Sequence, residues 1–565
     1  MNDAIDQQGA SERLDQYFDE VYATILSRQD AKTGLFPAST DVNGHGDYTD
    51  AWVRDNVYSV QAVWGLWLGY RRTNHNPGRT EYLGDCVTRL MRGLLSAMLR
   101  QSHKVERFKY TQNPMDALHA KYGTQSGDVV VDDDKWGHLQ LDATSIFLLM
   151  LAQMTRSGLR LIHSVDEVNF VQNLVWYIGR GYRTPDYGIW ERGNKINNGH
   201  VEINASSVGM VKAALQAMRG LNLLHDAHSY RGVIHVVPDE IARCRTTLEN
   251  LLPRESLSKE VDAACLSVIG YPAFAVEKKS LVNTTREHIL DKLAGRYGCK
   301  RFLLDGHQTV LENHDRLHYE PDELRNFENI ESEWPLFFAF LYLDALFAGD
   351  HERSDEYRLK LDALRVEKDG LWLLPELYYV DQEHIDAERA VPGSQPRVAN
   401  ANVPLVWTQS LYVLGCLVHE GLVTTDELDP VAAHKRIGRK QRSLVLVGLL
   451  AENEVVKDRL AARGLWSETV DQLDPVRVLP PLELARVFNV VGQNRTLGLT
   501  GRPQRRPRSL ATAQLYQLGG ESCVFLPQFQ NRDTFYLASD NQLLCEKIQA
   551  ELKYVSRHWH QDKQP

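Results

Sequence analysis

Three short segments of this 565-residue chain place tryptophan beside charged and amide side chains. They are Trp52-Val53-Arg54-Asp55, Trp136-Gly137-His138-Leu139-Gln140-Leu141-Asp142 and Tyr187-Gly188-Ile189-Trp190-Glu191. A sugar ring has flat C–H faces and a rim of hydroxyls, so its recognition needs aromatic planes next to fixed donors and acceptors. A buried hydroxyl partner left unpaired costs about 1–3 kcal/mol, and Trp with Arg, Asp and Gln meets both needs. Composition leaves a blander reading open: Arg54 and Asp55 as a local ion pair at a helix start, with the tryptophans filling core.

The elements that must carry these segments are helical. Leu14, Tyr17, Phe18, Val21, Tyr22 and Ile25 step along one face at the helical period, as do Val171, Leu174, Val175 and Ile178. Ser164 with Glu167 three residues on predicts a capping box at the start of the second helix. Further apolar helices are predicted at 53–71, 88–101, 141–156, 205–222, 334–348 and 404–419. Several, such as LDATSIFLLMLAQM, lack a polar face and need cover on both sides, which two concentric helical layers supply. Long loops rich in Gly, Asp, Asn and Trp alternate with them at 30–52, 103–140, 181–204, 299–333 and 377–403. Loops of that length are uncommon unless functional, which predicts a site built on loops at one end of a helical barrel.

After the basic joint DPVAAHKRIGRKQR the character changes. Ser443–Leu450 (SLVLVGLL) reads as a buried strand, ENEVVKDRLAARG as a helix, ESCVFLPQF as a strand, and 540–557 as a last helix. A small α+β domain is therefore expected over 436–565, following a larger one over 10–430. The net charge of −10 disfavours nucleic acid and anionic membrane as partners. Seven dispersed cysteines without a CxxC pair point to reduced thiols, and the polar, acidic N-terminus shows no signal pattern, so a cytoplasmic location is expected. No cofactor or metal is expected: Asp132-Asp133-Asp134 is too short a run for a calcium loop, His225 with His228 reads as a surface pair, and His558 with His560 as a frayed helix end.

Longer runs, among them DAWVRDNVYSVQAVWGL, WGHLQLDATS, HSVDEVNFVQNLVWYI, NASSVGMVKAAL, SKEVDA, FENIESEWPLF and LLPELY, resemble the N-terminal part of the phosphorylase kinase alpha and beta regulatory subunits. That part is similar to glucoamylases, family 15 of the glycoside hydrolases. The resemblance implies a mainly α fold, a six-hairpin (α/α) toroidal barrel, with the small C-terminal α+β domain.

It also implies roles. Trp190-Glu191 matches the family's general acid, and Glu376 in LWLLPELYY its general base, ahead of a helix containing Trp407. Arg54-Asp55, following Trp52, match the pair that grips the non-reducing glucose, and Trp136 with Gln140 and Asp142 the stacking segment. Lys121-Tyr122 correspond to a Lys–aromatic pair lining outer sites, and Arg316 to a sugar-binding arginine. Arg192 departs from the family's second glutamate, which exchanges an acceptor for a fixed cation at the leaving-group site. The resemblance thus implies an inverting exo-acting α-glucoside hydrolase, Glu191 giving its proton to the glycosidic oxygen while Glu376 activates water. The alternative is a non-catalytic glycogen- or oligosaccharide-sensing regulatory protein. Because the sequence ends before the part of those subunits that contacts calmodulin and the kinase, neither is expected as a partner. The expected ligand is an α-glucan or glucose oligosaccharide; linkage and oligomeric state stay open.

Overall fold

The structure is a computed structural model and describes residues 2–39, 42–43, 46–47, 49–131, 137–190, 200–225, 229–313, 315–316, 318–439, 445–527 and 540–559. Trp136, Glu191 and Arg192, together with Asp132, Asp133, Asp134, His228 and His560, lie outside the described residues. The chain divides into two compact units. Unit 1 comprises 1–236, 244–438 and 496–499; unit 2 comprises 237–243, 439–495 and 500–565.

Unit 1 is mainly helical. Its helices run α1 (Asn2–Thr24), α2 (Val53–Thr73), α3 (Pro77–Leu99), α4 (Ser102–Thr111), α5 (Leu141–Arg156), α6 (Val165–Gly181) and α7 (Ala205–Met218). After α8 (Pro238–Leu251), which begins in unit 2, come α9 (Leu266–Ile269), α10 (Lys279–Leu293), α11 (Pro321–Leu324), α12 (Pro335–Ala348), α13 (His351–Ala363), α14 (Ile385–Ala390) and α15 (Val406–His419). The absence of a polar face in α5 has the expected consequence, since every residue from Leu141 to Thr155 is buried. In α12, Phe337, Phe338, Phe340, Leu341 and Leu343 are all buried, each contributing about 1.5–3 kcal/mol of apolar transfer. That helix opens on Pro335, whose missing N–H would have no partner there. It stops at Gly349, which takes the left-handed conformation (φ +68°) that a Cβ would strain.

Neighbour relations follow chain order. Helix α2 packs on α5 and α15, α5 on α7, α9 on both α7 and α12, and α12 on α15. On their other sides, α3 covers α2, α6 covers α5, α10 covers α9, and α13 covers α12, while α1 lies against α2 and α15. Where α15 meets α12 the approach is close: a Cβ on Gly415 would stand 2.4 Å from the Tyr342 ring.

Several expectations need correction. Ser164 caps α6 by accepting from the Glu167 N–H at 3.2 Å, but the Glu167 carboxylate returns to the His163 N–H (2.7 Å) instead of Ser164, and is held by Arg92 as well. The box is therefore half formed. Helix α3 begins at Pro77, well before 88, because Asn76 accepts from the Arg79 N–H and supplies a start signal ahead of the apolar stretch. The span 103–140 opens as the helix α4.

A four-stranded antiparallel sheet positions the loops. Its spatial order is Val398–Ala399, Tyr378–Tyr379, Glu333–Trp334, Cys299–Lys300. One buried guanidinium fastens it: Arg397 bonds the Glu331 carbonyl (2.5 Å), pairs with Glu333 (3.0 Å) and reaches Glu388 (3.3 Å). Glu388 in turn accepts from the Gly393 and Gln395 N–H groups at 2.8 and 2.9 Å.

In unit 2, strand Val476–Leu479 runs parallel to Glu521–Phe525, which pairs antiparallel with Tyr516–Leu518. Ala242, Leu510 and Val555 form a core against which Val445, Tyr554 and Trp559 pack. Asp239 accepts from the Leu510 and Ala511 N–H groups and the Tyr554 hydroxyl. Of the buried strand expected over 443–450, Ser443 and Leu444 lie outside the described residues, and among the rest only Leu450 is in a strand, Leu450–Ala451, paired in parallel with Glu468–Thr469. Val445–Leu449 is irregular and largely exposed, because nothing among the described residues covers this apolar run on both faces.

Candidate sugar-binding site

The site is assembled from residues at the N-terminal ends of helices and in the loops feeding them. Trp52 and Lys121 are register partners in a two-stranded ladder, Ala51–Trp52 with Lys121–Tyr122. The Lys121 ammonium lies 4.2 Å from the centre of the Trp52 ring and pairs with Asp50 at 2.8 Å. Tyr122 points the other way, as strand alternation requires. It is fully buried, accepting from Gln101 and donating to the His119 carbonyl.

One residue past Trp52, α2 begins, and Arg54 in its first turn reaches across to α5. Its Nη1 donates to Asp142 Oδ2 at 2.9 Å and to Gln140 Oε1 at 3.3 Å. Both members of this ion pair are buried, with side chains 6% and 4% exposed. Asp142 Oδ1 is buried with no hydrogen-bond partner among the described residues. Asp55 sits beside Arg54 in the first turn of α2. A second carboxylate ties the start of α5 to that of α7: Asp186 accepts from the Leu141 N–H (3.2 Å), Ser207 Oγ (2.6 Å) and Asn204 Nδ2 (2.8 Å). Burial pushes the Asp186 carboxyl up to about 6.

One turn further along α2, Tyr58 stacks on Trp407 in the first turn of α15, with centroids 4.4 Å apart and planes 13° apart. Trp407 is 4% exposed and its Nε1 has no partner among the described residues. Glu376 is fixed to the same end of α15, since its N–H donates to the Asn402 carbonyl and the Leu405 N–H to the Leu374 carbonyl. Three side-chain amides converge on Glu376 Oε2: Gln308 and Asn400 at 2.8 Å, and Asn402 at 3.2 Å. The carboxylate is buried, and this oxygen is committed to protein donors.

Trp190 is half-buried and held by several partners. Its Nε1–H donates to both oxygens of Asp262 at 3.0 Å. The Arg301 guanidinium, which donates to Asp305 at 2.6 and 2.9 Å, lies 4.8 Å from the Trp190 ring centre and 5.2 Å from that of Trp334. Trp334 and Phe337 stand 6.0 Å away. Burial raises the Asp262 carboxyl, and burial with the neighbouring Asp262 charge raises that of Glu255, which Ser206 and Cys265 hold.

The structure thus joins Arg54, Gln140 and Asp142 directly, links them through Tyr58 to Trp407 and the Glu376 segment, and sets Trp190 against Trp334. Arg316 is not among these groups: its guanidinium makes a two-pronged ion pair with Glu323 at the surface. Sequence reading missed Gln308, Asn400, Asn402, Asp262 and Arg301. The last two fall within or beside runs that carry the family resemblance, but amides at scattered positions leave no sequence signal. A possible metal-ligand cluster, Asp381, Glu383 and His384 with ligand atoms within 4.8 Å of one another, forms a turn at the surface rather than part of this arrangement.

The sequence profile described as "Glycosyl hydrolases family 15" matches residues 11–455. The skeletal muscle isoform of phosphorylase b kinase regulatory subunit alpha from Mus musculus is 49% identical over 557 residues, covering 98% of this chain and 44% of its own. A probable phosphorylase b kinase regulatory subunit alpha from Drosophila melanogaster is 46% identical over 553 residues, covering 97% and 44%. The chain thus spans under half the length of these relatives. Among solved structures, a glycosidase variant in complex with glucose superposes with TM-score 0.52 at 19% identity, covering 73% of this chain and 98% of its own. The fold is glycosidase-like.

These relatives correct two expectations. The hydrolase implied by the glucoamylase resemblance does not stand, because proteins sharing nearly half of the residues across almost the whole chain are regulatory subunits, and a shared fold fixes a pocket without fixing its chemistry. The exclusion of kinase subunits as partners falls for the same reason, since the relatives are named as regulatory subunits of a kinase.

Proposed function

Since the chain belongs to glycosyl hydrolase family 15, we propose that it uses that family's sugar pocket as a sensor: a non-catalytic regulatory protein that binds α-glucan or glucose-oligosaccharide ends. The observation that carries this reading is the 46–49% identity to kinase regulatory subunits over 97–98% of the chain. In it, Arg54, Asp55, Gln140 and Asp142 hold the hydroxyls of the terminal glucose, with Asp142 Oδ1 as an acceptor that no described protein group uses. Trp52, Trp136, Trp190 and Trp407 supply apolar faces, Lys121 and Arg192 flank them, and Glu191 and Glu376 serve as hydroxyl acceptors. Glu376 suits that role, since three amides fix its orientation in advance.

The same reading takes α2, α5, α7, α9, α12 and α15 as the inner ring of a six-hairpin barrel over about 10–430, with the small α+β domain over 436–565. Each ring member packs on the next in that order, which supports closure. It places the protein in the cytoplasm, among kinase subunits. No helix of the described residues is long and apolar enough to cross a membrane.

Titration calorimetry with maltotriose, isomaltose and glycogen, run beside proton NMR of released glucose, tests the proposal. Saturable binding without glucose release is expected. Failure of all three sugars to bind, or sustained glucose release, overturns it.

A further inference from the structure

Unit 2 carries a net positive charge, with 19 Lys and Arg against 15 Asp and Glu, in a chain whose net charge is −10. On it lies an apolar surface that the fold leaves uncovered. Leu446 is 84% exposed, Val447 66% and Leu449 48%. The parallel register Leu450↔Glu468 and Ala451↔Thr469, followed backwards, brings the chain before Glu468 alongside, where Leu465 is 49% and Trp466 96% exposed. Isolated apolar side chains at a surface need no explanation, but five on two adjoining strand leads form a patch of the kind that marks an interaction site.

Two further features point to the occupant. Val445–Gly448 makes no backbone hydrogen bond with any described residue, although its composition favours a strand, so it presents unpaired N–H and C=O groups along an edge. Beside that edge runs a groove of about 430 Å³ lined by Val445, Val447, Leu552, Lys553, Ser556 and Arg557. Its floor is apolar and its wall carries two cations. Lys553 has no ion pair among the described residues.

We propose that Val445–Gly448 is a docking edge for an extended acidic segment of a partner polypeptide. The segment adds as a strand, its alternate apolar side chains entering the groove and its carboxylates meeting Lys553 and Arg557. Main-chain pairing gives affinity and the two cations select charge. The proposal rests on the regulatory reading only for the existence of a partner; its geometry is independent of the sugar pocket.

The test uses the full chain and a dye-labelled peptide of four Glu-Val repeats, read by fluorescence anisotropy, with a Lys-Val peptide of equal length as comparison. The Glu-Val probe is expected to bind saturably, and the Lys-Val probe at least tenfold more weakly. Leu446→Asp and Val447→Asp, both at exposed positions that tolerate substitution, should each weaken the Glu-Val probe about tenfold. Lys553→Glu with Arg557→Glu should reverse the preference between probes. Equal binding of both probes, or affinity unchanged in all these variants, overturns the proposal. So does a dimer in sedimentation that Val447→Asp dissolves, because a second copy would then be the occupant. Maltotriose titration of the same samples separates the two readings: its loss with probe binding retained sinks the sensor alone.

Discussion

The buried pair of Arg54 and Asp142 offers the sharpest perturbation. At 2.9 Å and an effective dielectric of about 20, opposite unit charges attract by roughly 6 kcal/mol, and desolvation of both offsets most of it. Removing one partner forfeits the attraction but keeps the desolvation of the other. Asp142→Leu should therefore cost unit 1 about 3–5 kcal/mol, toward the lower end because Gln140 still accepts from Arg54. Arg54→Met should cost a similar amount. The double replacement Arg54→Met with Asp142→Leu removes both charges and should lie within about 1–2 kcal/mol of the parent, giving a coupling energy of 2 kcal/mol or more. Urea unfolding followed by tryptophan fluorescence reports mainly on unit 1, which holds nine of the eleven tryptophans. The double variant should regain stability yet fail to bind maltotriose. Single variants costing under about 1 kcal/mol, with an additive double, would show that the pair behaves as a solvated surface contact and refute the reasoning.

Glu376→Gln puts an amide where three N–H donors converge, and maltotriose affinity should fall at least tenfold by calorimetry while far-UV circular dichroism stays unchanged. Asp186 has a folded pKa raised to about 6 from an ordinary 3.8, so its contribution is fully present below about pH 4 and lost as pH rises through 6. That amounts to roughly 3 kcal/mol, and the fall in urea stability between pH 4 and 7.5 should be smaller by about that amount in Asp186→Asn. Gly415→Val should destabilise unit 1 by about 1–3 kcal/mol through its clash with Tyr342, seen as a lower urea midpoint. Gly349→Ala, with open space around it, should cost about 1 kcal/mol through its positive φ alone.

Helices were legible where burial on both sides forced an apolar run, as in α5 and α12, and where a side chain announced the start, as Ser164 does. The same signal misled at Val445–Leu449, since an apolar run reads alike whether covered or not. Within the site, Arg54, Gln140 and Asp142 could be named because they lie in runs that carry the family resemblance. Their mutual contact could not, because Arg54 and Asp142 lie 88 positions apart and only the packing of α2 on α5 joins them. The amides around Glu376 arrive from 308, 400 and 402, positions whose side chains are ordinary loop residues until the small sheet gathers them.

Arg397 and Glu388 hold both flanks of the exposed turn at 391–396, so covalent continuity through that turn adds little to the placement of Asn400 and Asn402. The chain is topologically divisible there. A protease nick within 392–394, or new termini made at that point by circular permutation, would leave the downstream strand tied to its sheet by the guanidinium of Arg397 and by its ladder with Tyr378–Tyr379, with α15 still packed on α2 and α12. The two fragments would then travel together as a non-covalent pair until urea unfolded the helical packing that joins them.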